Sequence, residues 1–258
     1  RFFKYEGQTI DPKDPVNQSV ITDFETYKAL FKEAGDYKVI GEASPAYLAA
    51  EGVPERMHRY LPDVDLYLMV RNPIDRAFSH YVFAVKQGYE PVDLTFEEAI
   101  RTDQVVYKGF ERKRPYLENG FYDRHLKRYD AVYGSGKVKV LFFEDLRKDP
   151  LGFAQEFYQE IGVNAAFEPN TGTQFAKSGL PKNKAIHQLI KGNNPLKSMA
   201  KQLVPKQYRK RLKTNIENAN LEKPAFPTHL RQELIDLYAA DVQALAKRTG
   251  RNLDHWLK

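Results

Sequence analysis

The stretch that decides the fold is LYLMVRNPIDRAFSHYVFAV, residues 66–85. It opens with five apolar, β-prone residues and then changes abruptly to an arginine. Short apolar runs of this kind are typical of strands buried in a parallel sheet. Pro73 favours the first turn of a helix, and Gly88 favours the position just after its end. The stretch therefore predicts a buried strand over 64–70 followed by a helix over 73–88.

The other hydrophobic patterns alternate between strands and helices. A second strand is predicted over 137–146, and a shorter strand begins the segment 37–48. Helices are predicted over 22–34, 53–62, 93–103, 114–134, 149–163 and from Pro224 onward. The first of them has Thr22 as its predicted N-cap, with Glu25 three residues later. This alternation favours a single α/β domain over 1–258, with a central, mostly parallel sheet flanked by helices.

The composition excludes several classes of protein. The 258 residues are 42% apolar, which indicates a globular rather than a disordered chain. Because the chain has no cysteine, disulfides and cysteine nucleophiles are excluded, and a reducing compartment is allowed. The expected location is the cytoplasm. No apolar run reaches the roughly 18–20 residues that cross a membrane. The net charge of +6 favours an anionic ligand but is too small to indicate nucleic acid.

Basic side chains follow the predicted strand 64–70 at the place where open parallel sheets bind ligands. Arg71 comes directly after the strand, and Asn72 can cap the next helix. Arg76 and Ser79 share one face of that helix with Asn72. Two guanidinium groups and a hydroxyl near a helix N-terminus favour phosphate binding. From spacing alone, ion-paired or solvated arginines at a strand–helix junction remain an alternative.

The segment RNPIDRAFSHY resembles a known nucleotide-binding motif. It is similar to the 3′-phosphate-binding motif of sulfotransferases that use 3′-phosphoadenosine 5′-phosphosulfate (PAPS). All five fixed positions are filled, by Arg71, Pro73, Arg76, Ser79 and Tyr81. Four further segments resemble bacterial and heparan-sulfate-type sulfotransferases: GEASPAYL (41–48), NGFYDRHL (119–126), VLFFEDLRKDP (140–150) and GRNLDHW (250–256). The resemblance covers the chain from about residue 1 to 258 and implies the P-loop, nucleotide-kinase-like sulfotransferase fold.

The resemblance implies roles for several acidic and basic side chains. Arg71 and Ser79 hold the 3′-phosphate, and Arg76 supports them. His125 lies near the transferred sulfuryl group, where it binds a sulfate oxygen or assists proton transfer. Glu42 is a further candidate because it lies at a predicted strand end beside Ser44, where it would orient the acceptor substrate. For His125 the alternative is a histidine on the helix surface. For Glu42 the alternative is a structural hydrogen bond to the following turn.

Two further acidic residues, Glu144 and Asp145, lie at the carboxyl end of the strand predicted over 137–146. For them the favoured interpretation is helix capping and packing rather than catalysis. The segment 175–189 resembles a basic loop that closes over the nucleotide in the family. Its candidate residues are Lys177, Ser178, Gly179 and Lys182.

The run 191–213 holds eight basic residues and no acidic one. It predicts a basic amphipathic helix that faces an acidic polymer or an anionic membrane, or a solvated helix over the core. Peripheral membrane contact through this run is therefore one expectation.

One part of the family pattern does not occur in the sequence. The resemblance implies a glycine-rich loop that wraps the 5′-phosphosulfate and carries a catalytic lysine, and no such Gly-x-x-x-x-Gly-Lys-Ser/Thr motif is found. The opening RFFKYEG is similar to the end of the family segment that follows this loop. We therefore expect the first strand, the phosphosulfate loop and the catalytic base to precede Arg1, and the chain as printed to be inactive alone.

Together these observations predict a sulfotransferase with PAPS as its donor and no metal. The acceptor is a hydroxyl or amine, expected on a saccharide by analogy with the heparan-sulfate-type members. Small-molecule, lipid-linked and peptide acceptors stay open, and nucleic acid is not expected as a partner. The alternatives are a kinase-like transferase that uses another adenine nucleotide, and a non-enzymatic binder of anionic polymer through 191–213.

Overall fold

The computed structural model describes residues 1–14, 17, 20–102, 104–107, 110–172, 178–191 and 214–258, with 104–107 and 110–112 described by their backbone alone. The contacts of the chain divide it into two compact units. Unit 1 comprises Arg1–Pro73, Glu118–Thr173 and Ile235–Lys258, and unit 2 comprises Ile74–Leu117 and Gln174–Leu234. The assignment of 1–258 to a single domain stays a prediction.

The described chain is rich in helices and has short strands. The strands are β1 Leu66–Val70, β2 Gln104–Tyr107, β3 Phe110–Lys113, β4 Val138–Phe142, β5 Leu180–Pro181 and β6 Leu221–Glu222. The helices are α1 Phe2–Tyr5, α2 Phe24–Ala29, α3 Val53–Tyr60, α4 Pro73–Gln87, α5 Phe96–Arg101, α6 Tyr122–Tyr133, α7 Phe143–Lys148, α8 Pro150–Glu160, α9 Lys184–Lys191 and α10 Arg231–Thr249. Residues 214–219 are also helical. Single 3₁₀ turns cover Lys32–Ala34, Glu118–Gly120, Thr228–Leu230 and Asp254–Leu257.

The parallel sheet lies in unit 1 and consists of β1 and β4 within the described chain. Leu66 is opposite Val138, and Val70 is opposite Phe142. The strand and helix predicted from the opening stretch are confirmed as β1 and α4. The α/β class is confirmed in this coarse form, whereas a larger central sheet flanked by helices stays a prediction. The remaining strands form two antiparallel pairs, β2 with β3 and β5 with β6.

Three local predictions were wrong. Residues 37–40 form no strand, because an extended segment needs a partner for its backbone and no described strand pairs with them. The strand predicted over 137–146 ends at Phe142, where helix α7 begins. The N-cap of α2 is Asp23 rather than Thr22, since the Asp23 carboxylate accepts a hydrogen bond from the Thr26 backbone at 2.8 Å.

An aromatic cluster forms one core of unit 1. Its buried members come from α1, α2, α3, α6 and the loop before α3: Phe2, Phe3, Tyr27, Tyr47, Val53, Met57 and Tyr129. The rings of Phe2 and Tyr27 stack at 4.8 Å between centroids. Contacts of this kind add to the stability gained from burial of the rings.

A second buried region of unit 1 surrounds the start of α6. Gly120 lies two residues before the first residue of that helix, against the ring of Tyr238 from α10. A Cβ atom at Gly120 would lie 2.8 Å from both the Cε1 and the hydroxyl oxygen of Tyr238. Tyr238 is fully buried, and its ring packs 5.0 Å from that of Phe121. A side chain at position 120 would therefore force a buried ring to shift.

Unit 2 is built around aromatic rings and a buried ion pair. The ring of Phe78 lies 5.2 Å from that of Phe96. The Glu90 carboxylate accepts two hydrogen bonds from Arg114, at 2.8 and 2.9 Å, and one from the Tyr116 hydroxyl at 2.9 Å. The side chain of Glu90 is 2% exposed, so these three donors replace its water.

His80 lies beside this ion pair. Its ring meets that of Tyr116 edge-on, with 4.9 Å between centroids. Burial, with a smaller contribution from the charge of Arg76, lowers the pKa of His80 to about 4, and the charge of Glu90 partly opposes this shift. The folded protein therefore holds a neutral imidazole at neutral pH.

We expect Gly120→Ala to lower the free energy of unfolding by about 1–3 kcal/mol, the usual cost of forcing an extra methyl group into a packed site. Urea denaturation measures the change. Gly41→Ala is the matched control, because its Cβ meets nothing within 4 Å and its backbone is ordinary. Equal stability of the two variants would contradict the packing of Gly120 against Tyr238.

We expect His80→Phe to make folding less sensitive to acid. The folded pKa of His80 lies below the unfolded value near 6.5, so the unfolded chain takes up a proton first as the pH falls. The wild type should lose about 2 kcal/mol more than the variant between pH 7 and pH 4.5. Urea denaturation at both pH values gives the difference. Parallel pH profiles would show that His80 titrates normally in the folded protein.

Candidate active site

The carboxyl end of β1 is held by two long-range hydrogen bonds in unit 1. The Tyr122 hydroxyl donates to the backbone carbonyl of Arg71 at 3.0 Å. The side-chain amide of Asn72 donates to the carbonyl of Trp256 at 3.2 Å. Tyr122 and Asn72 are both buried. The turn that presents Arg71 is therefore fixed by contacts from two distant parts of the sequence.

The guanidinium group of Arg71 packs against an aromatic ring. Its Cζ atom lies 5.4 Å from the centre of the Phe143 ring, at the start of α7. Among the described residues, no carboxylate pairs with Arg71. Its positive charge is thus supported by packing rather than neutralised by an acid, which suits an anionic ligand.

The acidic pair after β4 contacts the C-terminal segment. Glu144 accepts a hydrogen bond from the indole nitrogen of Trp256 at 3.0 Å. Asp145 accepts two bonds from Arg251, at 2.5 and 2.6 Å, and the Arg251 guanidinium holds the pKa of the Asp145 carboxyl below its usual range. The packing part of the interpretation of Glu144 and Asp145 is confirmed, whereas the start of α7 has no side-chain cap hydrogen bond among the described residues.

His125 is a buried residue of α6 and is 2% exposed. Its Nε2 lies 3.0 Å from the carbonyl oxygen of Glu118 and 3.3 Å from the Glu118 carboxylate. Its Nδ1 is buried and has no hydrogen-bond partner among the described residues. Burial lowers the pKa of His125, so the neutral ring donates through Nε2 and keeps a bare acceptor at Nδ1. The alternative of a surface histidine is wrong.

Glu42 lies between two phenols of unit 1. It accepts hydrogen bonds from the hydroxyls of Tyr27, at 2.7 Å, and Tyr47, at 3.2 Å. Burial, together with the bonds to Glu42, raises the pKa of both tyrosines, so they remain donors. The Glu42 side chain is 25% exposed, so it is also open to solvent.

Two of the predicted nucleotide-binding residues lie on α4 in unit 2. The Arg76 guanidinium donates to the carbonyl of Tyr116, while its Nε is buried without a partner among the described residues. Ser79 is half-buried, and in the described part of the chain its hydroxyl makes no hydrogen bond. Arg76 thus connects α4 to the segment before α6, and Ser79 retains its full hydrogen-bonding capacity.

The candidate loop before α9 is held to β6 in unit 2. A Cβ atom on Gly179 would lie 2.8 Å from the carbonyl oxygen of Glu222, so this glycine permits the close approach of two strands. The backbone nitrogen of Lys182 donates to the backbone carbonyl oxygen of Asn220 at 2.7 Å. The side chains of Ser178 and Lys182 are exposed, and Lys177 lies outside the described residues.

Several residues around these sites carry no sequence signal for their role. Tyr122 belongs to a segment that resembles the family, but its bond to Arg71 joins residues 51 positions apart. Glu90 and Arg114 form a pair 24 positions apart. Covariation among relatives is the kind of long-range signal that would have found these two pairs.

The described residues contain no cluster of histidine and acidic side chains that would hold a metal ion. Within the same residues, no helix has the length and apolar character to cross a membrane. The basic run 191–213 lies outside the described residues except for Lys191, which pairs with Glu217 at 3.1 Å.

Comparisons with known proteins agree on one family. A model of the sulfotransferase domain matches residues 52–224. The chain is 30% identical over 125 residues to the human bifunctional heparan sulfate N-deacetylase/N-sulfotransferase 2, a match that covers 47% of this chain and 14% of the relative. It is 26% identical over 151 residues to the mouse heparan sulfate glucosamine 3-O-sulfotransferase 6, covering 53% of this chain and 39% of the relative.

A solved structure extends the similarity to the whole chain. The sulfotransferase from Alicyclobacillus acidocaldarius superposes with a TM-score of 0.66 and 26% identity, over 100% of this chain and 85% of the other. The chain itself matches only a small part of the length of the first curated relatives, 14% for the human enzyme. Since the family model covers more than half of its residues, the chain belongs to the sulfotransferase domain family.

Proposed function

We propose that the protein transfers a sulfuryl group from PAPS to a hydroxyl or amine of a saccharide. The observation that carries the proposal is Arg71, an arginine at the end of β1 whose charge no described carboxylate neutralises. It is the first residue of the segment that resembles the 3′-phosphate-binding motif of sulfotransferases. The membership of the chain in the sulfotransferase domain family supports the same reaction.

The donor assignment depends on the 3′-phosphate, the group that distinguishes PAPS from ordinary adenine nucleotides. In this proposal Arg71 and Ser79 bind its oxygens, since each is free of competing partners within the described residues. Arg76 fixes the helix that carries Ser79 through its bond to Tyr116. Lys177, Ser178, Gly179 and Lys182 are proposed to cover the nucleotide, by resemblance to the family loop.

PAPS supplies an activated sulfuryl group, and the acceptor oxygen or nitrogen displaces adenosine 3′,5′-bisphosphate from it. The acceptor loses a proton in the same process, so a base is needed. His125 is proposed to assist proton transfer, because its Nδ1 is an acceptor without a hydrogen-bond partner among the described residues. Glu42 is proposed to orient the acceptor, and its two phenol donors hold its carboxylate in place.

The saccharide preference rests on the heparan sulfate enzymes among the relatives. A cytoplasmic location and peripheral membrane contact through 191–213 remain predictions from the sequence.

We expect Arg71→Ala to weaken binding of adenosine 3′,5′-bisphosphate at least about 10-fold, because a hydrogen bond to a charged group is lost. Ser79→Ala should weaken it less, since its hydroxyl is neutral. Isothermal titration calorimetry measures both, with adenosine 5′-monophosphate as the ligand that lacks the 3′-phosphate. Arg59→Ala is the matched control, because Arg59 is an exposed arginine paired with Glu6 at 3.2 Å.

If the wild type binds the bisphosphate and the monophosphate equally, the PAPS assignment fails. A preference for ATP over both would support the kinase-like alternative. Strongly salt-dependent binding of acidic polymer without any nucleotide preference would support the non-enzymatic alternative.

We expect radiolabelled PAPS to transfer its sulfuryl group to glucosamine-containing oligosaccharides in preference to phenols, lipids and peptides. The amount of adenosine 3′,5′-bisphosphate released should equal the amount of label transferred to the acceptor. The assay uses the natural full-length protein. Transfer to phenols alone would remove the saccharide assignment and leave the sulfotransferase assignment intact.

His125→Gln provides the matched variant in this assay. It should lower transfer about 100-fold, the scale of general acid–base assistance. Binding of adenosine 3′,5′-bisphosphate should remain within two-fold of the wild type, roughly the scatter of a neutral substitution. Unchanged transfer would remove His125 from the proposed reaction.

A further inference from the structure

We infer that Tyr122 is a positioning residue for the donor nucleotide. Its hydroxyl holds the backbone of Arg71 in the conformation from which the guanidinium group binds the 3′-phosphate. The inference rests on the proposed function, in which Arg71 carries that contact. It adds a residue from α6, a different element, to the donor site.

The contact is direct and well formed. The Tyr122 hydroxyl lies 3.0 Å from the carbonyl oxygen of Arg71, and Tyr122 is 2% exposed. A buried phenol has few rotamers, so its hydroxyl is a fixed donor. Because the peptide group is planar, holding this carbonyl also restricts the ψ angle of Arg71.

Two further contacts restrict the same turn. The next residue, Asn72, is anchored to the carbonyl of Trp256 at 3.2 Å. The Phe143 ring supports the guanidinium group of Arg71 at 5.4 Å. The guanidinium group of Arg71 packs on a ring and pairs with no described carboxylate, so its direction depends on the backbone conformation of Arg71. The hydroxyl of Tyr122 restricts that conformation.

Helix α6 offers an internal control for this role. Tyr129 is also buried, and its hydroxyl donates to the carbonyl of Tyr47, also at 3.0 Å. The two tyrosines thus make the same kind of bond from the same helix. Loss of either hydroxyl removes one buried hydrogen bond, so both changes should affect stability similarly. Only Tyr122 contacts the residue proposed to bind phosphate.

The experiment titrates adenosine 3′,5′-bisphosphate and adenosine 5′-monophosphate into the wild type, Tyr122→Phe and Tyr129→Phe. We expect Tyr122→Phe to bind the bisphosphate about 3- to 10-fold more weakly, the effect of one hydrogen bond of ordinary strength. Its affinity for the monophosphate should be unchanged. Tyr129→Phe should leave both affinities unchanged. In turnover, Tyr122→Phe should raise the KM for PAPS more than it lowers kcat.

A double-mutant cycle tests whether Tyr122 affects bisphosphate binding through Arg71. In the Arg71→Ala background, Tyr122→Phe should cause no further loss of bisphosphate affinity, because the residue it positions is gone. Phe143→Leu, which keeps an apolar side chain but removes the ring, should also weaken the bisphosphate selectively. Phe143→Leu replaces Tyr122→Phe in the titration if Tyr122→Phe does not fold.

Two results would overturn the inference while the proposed function stands. One is a wild-type preference for the bisphosphate that Tyr122→Phe retains in full. The other is an equal loss of both nucleotides, which would show general damage to the fold. By contrast, a wild type without any preference for the bisphosphate would contradict the proposed function itself, and the inference with it.

Discussion

The organisation of unit 1 depends on the burial of Trp256, the single tryptophan of the chain. Its indole nitrogen donates to Glu144 just after β4, and its carbonyl accepts from Asn72 just after β1. One residue near the C-terminus thereby connects the carboxyl ends of both parallel strands. That edge is where α/β proteins bind their ligands. Because a buried indole N–H without a partner is costly, the positions of Glu144 and Trp256 depend on each other, and the turn at Arg71 depends on both.

Parts of the fold with local signals were predictable from the sequence. β1 and α4 follow from an apolar run, a proline at a helix start and a glycine at its end. The segment 37–40 has the composition of a strand, but a strand also needs a neighbour, and that neighbour is not encoded locally. The cap of α2 shows the same limit, since Thr22 and Asp23 are both good caps and only the backbone geometry selects Asp23.

In the candidate site, too, some features could be predicted from the sequence and others could not. Arg71 and Ser79 are recognisable because their motif is contiguous in the sequence. The surroundings of His125 are not, because its burial and its bond to Glu118 follow from how the start of α6 packs. Likewise, nothing in the sequence around Glu42 indicates that two phenols donate to it. The sequence pattern therefore proposes which residues form the site, whereas their hydrogen-bond partners and protonation required the structure.

The buried ion pair of unit 2 has a consequence for the ionic strength that the protein tolerates. Dissolved ions weaken charge pairs that face water, such as Lys28 with Glu25, whose side chains are 65% and 79% exposed. They have little access to Glu90 and Arg114, whose side chains are 2% and 9% exposed. Concentrated salt should thus compete with anionic ligands at exposed basic residues while the interior of unit 2 keeps its cohesion. Weak ligand binding in salt would then be a property of the surface, not a sign of unfolding.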